Sequence, residues 1–520
     1  MADEVQKVEV CGLAMPGYAP ALSEQRDGLV LARVRPVRNA SYIAVANIGS
    51  KALGLLLFLY APRALGKEAF GAYSAIIAFV GFFEILTDLG LTNLIVRNAA
   101  QDPTAAGRYV SNVLALRVVL SVVAIVLIFA LTPFMSQYPA ATYIYALYLV
   151  PLAAGSVLQT VFQLSERLAY NAVFTLAVNG ARVILSILVL ALGHKVLALM
   201  VVATVVTATG TAAMAYVVYT RFLSRCLELR LAWWPALLWC AVPFAMLSVL
   251  SVLYTRADTL ILNVLTGCSR AKALCGPVGL YGAATRGLDI PVVVFVGSIQ
   301  AVTLPLFTRI ARESRAELAR LMRSTITIMF VLGVPFAIFS AFYAREAMYL
   351  IGARQYVAGA PALAVLVWGF PCILVVNTLY MALYAVNKQA VVTVAFAANL
   401  IFNVSLNVAL IPRYSFMASA VLTVASEVLN GVIVLVALRR AIGPLGLGPA
   451  SLKTLLIGAA MAATLWLTRG VGPLDGIVTG LPLGALIFLA GLRATRLLGA
   501  TEREILGTLP LVGRYMVLVI

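Results

Sequence analysis

Four basic residues lie in strongly apolar stretches of the sequence, where a charge needs a specific reason: Lys51, Arg182, Arg256 and Arg286. Placing a charge at the centre of a bilayer costs at least about 2.5–3.5 kcal/mol. We therefore expect these side chains to face a water-filled cavity or a partner. The planar fork of arginine donates two parallel hydrogen bonds to phosphate. We predict a cavity that binds an anionic group such as a phosphate, with Arg182 and Arg286, one from each half of the sequence, as its main contacts.

Acidic residues occur in the same apolar stretches and could couple or gate transport. Glu84 and Asp88 are four residues apart and share one helical face. Asp258 and Asp289 lie close in sequence to Arg256 and Arg286. The alternative is structural ion pairing, in which Lys51 pairs with Glu84 or Asp88, Arg256 with Asp258, and Arg286 with Asp289. A fifth intramembrane cation, Arg117, is interpreted as extending from a helix end to the membrane surface. Further polar residues form stripes on predicted spans: Asn179, Ser186, Gln300, Asn399, Asn403 and Asn407. Glu427 is an acidic residue on the twelfth predicted span, far in sequence from any intramembrane cation.

The cysteine and histidine pattern predicts no metal site and no cofactor other than a coupling H⁺ or Na⁺. His194 is the single histidine, and no two cysteines have metal-ligand spacing. Cys268 and Cys275 flank a short loop that our topology places outside, so we predict a disulfide between them.

The elements that must position these residues are membrane helices. The chain has 520 residues, of which 62% are hydrophobic and 11% charged, and this composition excludes a cytosolic enzyme. Because a spanning helix needs about 20 apolar residues, the pattern predicts fourteen spans, with twelve as the alternative. Their approximate bounds are 41–61, 72–96, 110–134, 142–164, 172–193, 196–220, 235–265, 279–306, 323–343, 361–384, 391–411, 417–438, 454–468 and 477–492.

The distribution of basic residues predicts the orientation. The net charge is +18, and of 38 Lys and Arg residues 24 lie on the side of the termini and nine on the other side. By the positive-inside rule both termini are cytoplasmic. We expect a multi-pass protein of the plasma (inner) membrane. Loop 307–323 is the most basic and is expected to form one amphipathic surface helix.

An internal repeat predicts two pseudo-symmetric six-helix lobes around a central cavity. Residues 138–192 match 356–410 without a gap at an offset of 218, and six spans separate the copies, which indicates parallel halves. The predicted organisation is a disordered tail (1–40), an N-lobe (41–220), a cytoplasmic linker (221–234), a C-lobe (235–440), two added spans (441–495) and a cytoplasmic or interfacial tail (496–520).

Several segments resemble a known transporter family. APRALGKEAFGAYSAIIAFVGFFEILTDLGLTNLIVR (61–97), TRADTLILNVLTG (255–267), VGLYGAATRGLD (278–289) and NLIFNVSLNVALIPRYSFMASAVLTVASEV (399–428) are similar, in this order, to Wzx-type polysaccharide flippases. These belong to the multidrug/oligosaccharidyl-lipid/polysaccharide (MOP) exporter superfamily. The resemblance implies a V-shaped pair of lobes. It also implies that Lys51 and Arg286 match cavity cations, and Glu84 and Asp88 acidic cavity positions, of lipid-linked sugar flippases.

We therefore predict a flippase, not an enzyme. It would move a sugar linked to a polyprenyl phosphate or pyrophosphate to the outer leaflet by alternating access, with glycosyltransferases or a polymerase of the same pathway as partners and no nucleic acid. No phosphate-binding loop of the G-x-x-x-x-G-K-[ST] type occurs. The alternatives are a drug or cation antiporter of the same superfamily, disfavoured by the intramembrane arginines, and a membrane glycosyltransferase or ligase, disfavoured by the short loops.

Overall fold

A computed structural model describes residues 29–92, 94–95, 106–165, 167–221, 229–268, 275–445, 448–468, 473–495, 497–499 and 502. The first helix begins at Leu29, so residues 29–40 of the predicted disordered tail are helical. Leu, Ala and Arg in this segment all favour a helix. Most of the predicted C-terminal tail lies outside the described residues.

The described residues up to Arg221 include six long or medium-length helices. These are α1 (Leu29–Asp88), α2 (Ala106–Met135), α3 (Pro139–Ala146), α4 (Leu149–Leu164), α5 (Leu168–Ala191) and α6 (Val196–Arg221). Helices α1 and α5 pack together extensively, and α6 packs against α3, α4 and α5. The α5–α6 pair comes close at Gly210, where any Cβ would collide with Val178. Small residues commonly allow such close approach between membrane helices.

The rest of the described chain forms ten further helices. They are α7 (Trp234–Leu265), α8 (Gly276–Glu313), α9 (Arg315–Phe342), α10 (Ala344–Gly352), α11 (Ala360–Leu366), α12 (Gly369–Ala385), α13 (Gln389–Tyr414), α14 (Phe416–Ile442), α15 (Gly448–Thr468) and α16 (Pro473–Ala494). Helix α14 packs against α13, α12 and α11, and α9 packs against α12 and α15.

The chain divides into two compact units. Unit 1 comprises Met1–Arg256 with Gly267–Ala273, and unit 2 comprises Ala257–Thr266 with Leu274–Ile520. The division falls within α7 because Trp233, Ala236 and Leu237 are buried in the apolar core of unit 1. The predicted lobe and linker bounds, 41–220, 221–234 and 235–440, stay a prediction.

The structure confirms an all-helical protein with many membrane-spanning helices. Every predicted span falls on a helix. Nine helices of the described residues are long and apolar enough to cross a bilayer, or ten if the bent pair Ala344–Leu366 and Gly369–Ala385 is one span. Two more apolar stretches, Leu231–Val242 and Thr479–Ala494, are shorter.

The first two predicted spans share the continuous stretch α1. Its helical geometry is interrupted at Gly66, whose φ of 75° and ψ of 166° suit glycine. The second part ends at Asp88 rather than at the predicted residue 96, because Leu89 and Gly90 both have positive φ.

The internal repeat recurs in the structure at a larger offset than 218. In each copy a short helix is followed by a two-residue break, a longer helix, a turn and a third helix. The turn in which Arg167 N–H donates to Phe162 O has its counterpart in Lys388 N–H donating to Leu383 O. The structural offset there is therefore three residues larger. Matching Ala and Val residues fix a register poorly, since these residues recur throughout the chain.

The prediction of one helix across 307–323 is wrong. Helix α8 ends at Glu313, and Ser314 is the N-cap of α9, its side chain accepting a hydrogen bond from Glu317 N–H. The serine oxygen thus satisfies a backbone donor that would otherwise be unpaired at the start of α9. Leu318 and Met322 are buried in the core of unit 2 rather than lying on the membrane surface.

Candidate functional site

Asp88 in unit 1 forms an ion pair with Arg117, a residue far from it in sequence. Arg117 Nη1 lies 3.0 Å from Asp88 Oδ1, and the arginine side chain is only 5% exposed. Arg117 Nε donates to Thr87 O at 2.9 Å, and Nη1 donates to Thr92 Oγ1 at 2.7 Å. Thr92 in turn donates to Asp88. The interpretation of Arg117 as extending to the membrane surface is therefore wrong, because α2 buries it against the end of α1.

Glu84, one turn before Asp88, remains exposed and lies near a different arginine. A Cβ placed on Gly81 would lie 3.5 Å from Arg256 Cζ, so the guanidinium packs directly on the α1 backbone. Arg256 also lies close enough to Glu84 for the two charges to interact. The structure thus brings together Glu84 and Arg256 in unit 1, a pair that sequence proximity did not suggest.

Arg182 is held by neutral partners on the half-buried face of α5. Its Nη2 donates to Asn179 Oδ1 at 2.9 Å, one turn away. Asn179 Nδ2 donates to Ser50 Oγ of α1 at 3.3 Å. Tyr148, at the break between α3 and α4, lies near the Arg182 side chain. These neutral neighbours position the guanidinium without neutralising its charge.

Arg182 lines a cavity of about 220 Å³ within unit 1, formed by α4, α5 and α6. Two aromatic rings, Tyr148 and Phe174, contribute to its wall. Hydroxyls and amides supply most of the other polar groups: Ser156, Gln159, Thr175, Asn179, Thr207 and Thr211. Among these lining residues Arg182 carries the single formal charge. The cavity is therefore electropositive and rich in neutral hydrogen-bonding groups.

The other predicted site residues, Lys51, Arg286 and Asp289, are more exposed than Asp258 or Arg117. Lys51 is exposed on α1, next to the Ser50 that contacts Asn179. In unit 2, Arg286 is half-buried on α8 and Asp289 is exposed on the same helix. No described side chain forms a hydrogen bond or ion pair with Arg286.

Asp258 in unit 2 is buried, with 8% of its surface exposed, and is held by uncharged donors. Asn407 Nδ2 donates to its Oδ1 at 2.9 Å. Thr423 Oγ1 and Tyr281 OH donate to its Oδ2 at 2.8 and 2.9 Å. Helices α7, α8, α13 and α14 thus converge on one carboxylate. Arg256 was the partner of Asp258 in the ion-pairing alternative. It is not among the residues that hold Asp258 in the described part of the chain.

The Asn stripe of α13 continues from Asp258 into a buried polar ladder. Ser419 Oγ donates to Asn407 Oδ1 at 2.9 Å, and Asn407 Nδ2 also reaches Asn403 Oδ1 at 3.0 Å. Asn403 Nδ2 donates to Ser426 Oγ at 3.2 Å. The spacing of these asparagines predicts a polar stripe on α13, but spacing along one helix does not indicate a contact with Asp258.

Three of the described cysteines are oxidised and one is a free thiol. Cys268 and Cys275 are disulfide-bonded, as is Cys240, whereas Cys372 is a free thiol. The pairing of Cys268 with Cys275 stays a prediction.

Several side chains of the candidate sites could not be predicted from the sequence because they are neutral. In the sequence, Tyr148, Tyr281 and Thr423 are indistinguishable from other residues of the predicted spans. Their contacts with Arg182 or Asp258 are made between helices that are distant in sequence. A usable signal was present in α14, where Ser419, Thr423 and Ser426 recur at helical spacing opposite the Asn stripe.

The chain is similar to solved transporter structures of the MOP superfamily. A structure entitled "Lipid II flippase MurJ, inward closed conformation" matches with a TM-score of 0.73 and 14% identity, covering 87% of this chain and 99% of that one. An inward-facing multidrug resistance MATE family transporter matches with a TM-score of 0.60 and 13% identity, covering 86% and 99%. A MOP transporter from Pyrococcus furiosus, whose title reports reverse polarity of its binding pocket, matches at 0.51 and 13%, covering 81% and 99%.

These identities establish the fold alone, which is that of multi-span MOP transporters. No curated protein matches the chain significantly. The family described as "Polysaccharide biosynthesis protein" matches residues 37–311, more than half of the sequence. This multi-pass membrane chain therefore belongs to the polysaccharide biosynthesis protein family.

Proposed function

We propose that the protein is a flippase that moves a sugar linked to a polyprenyl phosphate or pyrophosphate from the cytoplasmic to the outer leaflet by alternating access. The observation that carries this proposal is the unit 1 cavity, whose lining has one formal charge, the guanidinium of Arg182. A cavity of this polarity favours an anionic ligand over a cationic drug.

The chemistry of the lining also suits a phosphate next to a sugar. Arginine has five N–H donors, and Asn179 engages only part of this set. The remaining fork can bind phosphate oxygens. Hydroxyl and amide groups match sugar hydroxyls, and aromatic rings pack against the apolar faces of sugars. The cavity is smaller than the roughly 300–1,000 Å³ of drug-sized pockets, which suits one headgroup fragment while the prenyl chain stays in the bilayer.

Reconstituted flipping tests this role. Purified protein in liposomes is given a fluorescent prenyl-phosphate sugar, and the outer-leaflet fraction is measured over time. We expect Arg182→Gln to lower the initial rate by about 10–100-fold, the loss of one charge-assisted hydrogen bond. Arg182→Lys should be intermediate, because it keeps the charge but loses the fork.

Arg221→Gln is the matched control, since this exposed arginine contacts Tyr170 outside the cavity lining. It should flip at the wild-type rate. Full activity of folded Arg182→Gln protein would refute the assignment of phosphate binding to this cavity. Equal flipping of the prenyl phosphate by empty liposomes and by every variant would refute the flippase itself.

Asp258 is the proposed coupling site, taking up a proton or Na⁺. A buried carboxylate held by neutral donors lacks a compensating charge among the described residues, and isolated buried charges cost several kcal/mol. The oxygens of Asp258, Thr423 and Tyr281 converge there, and oxygen ligands suit a hard cation such as Na⁺. Exposed Glu84 and partly exposed Asp88 already have arginines nearby, so they fit this role less well.

This coupling role is tested without any sugar. The midpoint of thermal unfolding is measured at several pH values with and without Na⁺, with K⁺ as the control salt. A cation that binds the folded state raises the midpoint in a concentration-dependent way. We expect this shift in wild type and its loss in Asp258→Asn. A shift of the same size in both proteins would exclude Asp258.

The second candidate is a drug or cation antiporter, and the exposed carboxylate of Glu84 is the observation that favours it. Binding of a cationic dye that depends on Glu84, with no binding of the prenyl-phosphate sugar, would select this function. For the flippase, we propose that glycosyltransferases or a polymerase of the same pathway are partners and that the chain itself catalyses no bond formation. Sugar transfer by the purified protein would contradict that.

A further inference from the structure

Two hydroxyl groups in the lining of the Arg182 cavity donate their hydrogens to the protein backbone. Ser156 Oγ donates to Ala153 O at 2.9 Å, and Thr211 Oγ1 donates to Pro151 O at 2.9 Å. A hydroxyl has one hydrogen to donate and two lone pairs that accept. Each of these side chains therefore presents acceptor lone pairs, and no donor, to a molecule in the cavity.

The two hydroxyls lie on the same part of the wall. Ser156 follows Gly155 in sequence, and a Cβ placed on Gly155 would lie 3.0 Å from Thr211 Oγ1. Gly155 itself lines the cavity, so its missing side chain keeps this part of the wall open. We call Ser156 and Thr211 the acceptor patch.

The positive charge of the cavity lies apart from the acceptor patch. Helices α4 and α5 run antiparallel, because a tight turn joins them. Arg182, in the second half of α5, is therefore level with the start of α4, close to Tyr148. Ser156 lies eight residues beyond Tyr148, about 12 Å along the axis of α4. A ligand that contacts both the guanidinium and the acceptor patch must be longer than a phosphate ion alone.

The two aromatic rings of the wall are each held by a second ring. Tyr148 stacks on Tyr145, with centroids 5.0 Å apart and an angle of 10° between the planes. Phe174 stacks on Phe162, with centroids 6.0 Å apart and an angle of 9°. Side chains held in this way lose little further freedom when a ligand binds. These rings suit the C–H faces of a sugar, whose hydroxyls then point to the polar part of the wall.

These features set the hydrogen-bonding character of the ligand. With a phosphate on Arg182, the acceptor patch needs O–H or N–H donors, which a neutral sugar supplies. An ionised carboxylate only accepts hydrogen bonds, so on the sugar it would face the lone pairs of the patch while the guanidinium is occupied. A site built to hydrogen-bond a substrate O–H or N–H rejects an analogue that lacks the donor, because polar groups of the site are then left unpaired.

We infer that the cavity selects a lipid-linked sugar whose residue next to the phosphate is neutral and donates hydrogen bonds, and that it rejects one with a carboxylate, such as a hexuronic acid. This inference rests on the proposed flippase function and names the class of sugar that the cavity of Arg182 takes.

A pair of matched substrates tests the selection in liposomes that contain the wild-type protein. One prenyl phosphate carries a neutral hexose, and the other carries the hexuronic acid of the same configuration. We expect the hexose to be flipped at least about tenfold faster, since a charged group left without a partner costs more than a neutral one. Equal rates for the two substrates would overturn this inference and leave the flippase function intact. Flipping of neither would refute the flippase function and the inference with it.

One variant should shift the preference towards the acidic sugar. Gln159→Lys adds a cation to the lining and keeps both hydroxyls of the acceptor patch. The rate for the hexuronic acid should rise about tenfold relative to that for the hexose, the effect of one hydrogen bond to a charged group. An unchanged ratio of rates in folded Gln159→Lys protein would overturn the inference.

A second variant removes one acceptor with little change of shape. Thr211→Val should lower the rate for the hexose by about 2–10-fold, the loss of one neutral hydrogen bond, and should lower the rate for the hexuronic acid less. Thr209→Val is the matched control, because this exposed threonine of α6 donates to Val205 O and Val206 O outside the cavity lining. It should keep both wild-type rates. If Thr211→Val does not fold, the rate ratios of the wild type and of Gln159→Lys decide.

Discussion

Arg117 and Asp88 show how a charged pair can stabilise a membrane helix bundle. The arginine is 5% exposed and satisfies Asp88, Thr87 O and Thr92 at once, which joins α2 to the end of α1. Removing one member leaves the other charge poorly compensated. We expect Arg117→Met to lower the free energy of unfolding by about 2–4 kcal/mol, somewhat below the value for a fully buried pair because Asp88 is 31% exposed.

A double-mutant cycle with Asp88→Asn measures the pair in detergent micelles by denaturant titration. The double variant should lose less than the sum of the single losses, because the second change removes a charge that is already unpaired. Arg167→Met, an exposed arginine, is the control and should change the free energy by less than about 0.5 kcal/mol. Strict additivity of the two losses would mean that the pair contributes nothing.

At the level of residues, sequence could identify which charges are unusual but not their partners. Arg182 and Asp258 were singled out because a charge in an apolar span is costly. The partners of Asp258 that matter most, Tyr281 and Thr423, are neutral and come from other helices, so spacing along one helix could not reveal them. The same limit applies to Arg256. It is two residues from Asp258 in sequence, but its side chain lies against Gly81 of another helix.

Gly66 sets the geometry of the longest helical stretch, α1. Its φ of 75° and ψ of 166° fall in a region that is essentially restricted to glycine. We expect Gly66→Ala to lower the free energy of unfolding by about 1–3 kcal/mol through backbone strain. Gly54→Ala, in the same helix with no heavy atom within 4 Å of an added Cβ, should instead raise it by about 0.5–1 kcal/mol.

Both glycine variants are compared by denaturant titration under the same conditions. The opposite signs separate the effect of an added methyl group from the effect of backbone conformation. If Gly66→Ala were as stable as wild type, the break in α1 would not depend on glycine, and the two predicted spans would have to be separated by other contacts.

At the level of elements, every span that hydropathy predicted falls on a helix, because burial in lipid imposes a long apolar run on each helix. Hydropathy could not predict the ends. The start of α9 depends on one hydroxyl, that of Ser314, and the shift in repeat offset depends on turns near Arg167 and Lys388. Such local hydrogen bonds leave almost no trace in average hydropathy.

For the whole molecule, the charge asymmetry predicts one orientation in the membrane. The end of α8 and the first turns of α9 carry five exposed arginines: Arg309, Arg312, Arg315, Arg320 and Arg323. Arg315 and Arg323 donate to the carbonyls of Ala441 and Leu445 at the C-terminal end of α14. Lys195 is exposed in the turn between α5 and α6, on the side with few cations. Because cytoplasmic loops retain basic residues, we place the arginine cluster inside and Lys195 outside.

Cysteine labelling of intact cells tests this orientation and, with it, the direction of the proposed flipping. An impermeant maleimide should modify Lys195→Cys directly, but should modify Arg312→Cys only after the membrane is permeabilised. The parent protein sets the background, since Cys372 is a half-buried free thiol. Reversed labelling would put both termini outside and would invert the leaflet from which the cavity of Arg182 receives its ligand. The predicted spans place an odd number of membrane crossings between Lys195 and Arg312, so the two positions must lie on opposite sides. Labelling of both positions from outside would contradict this assignment.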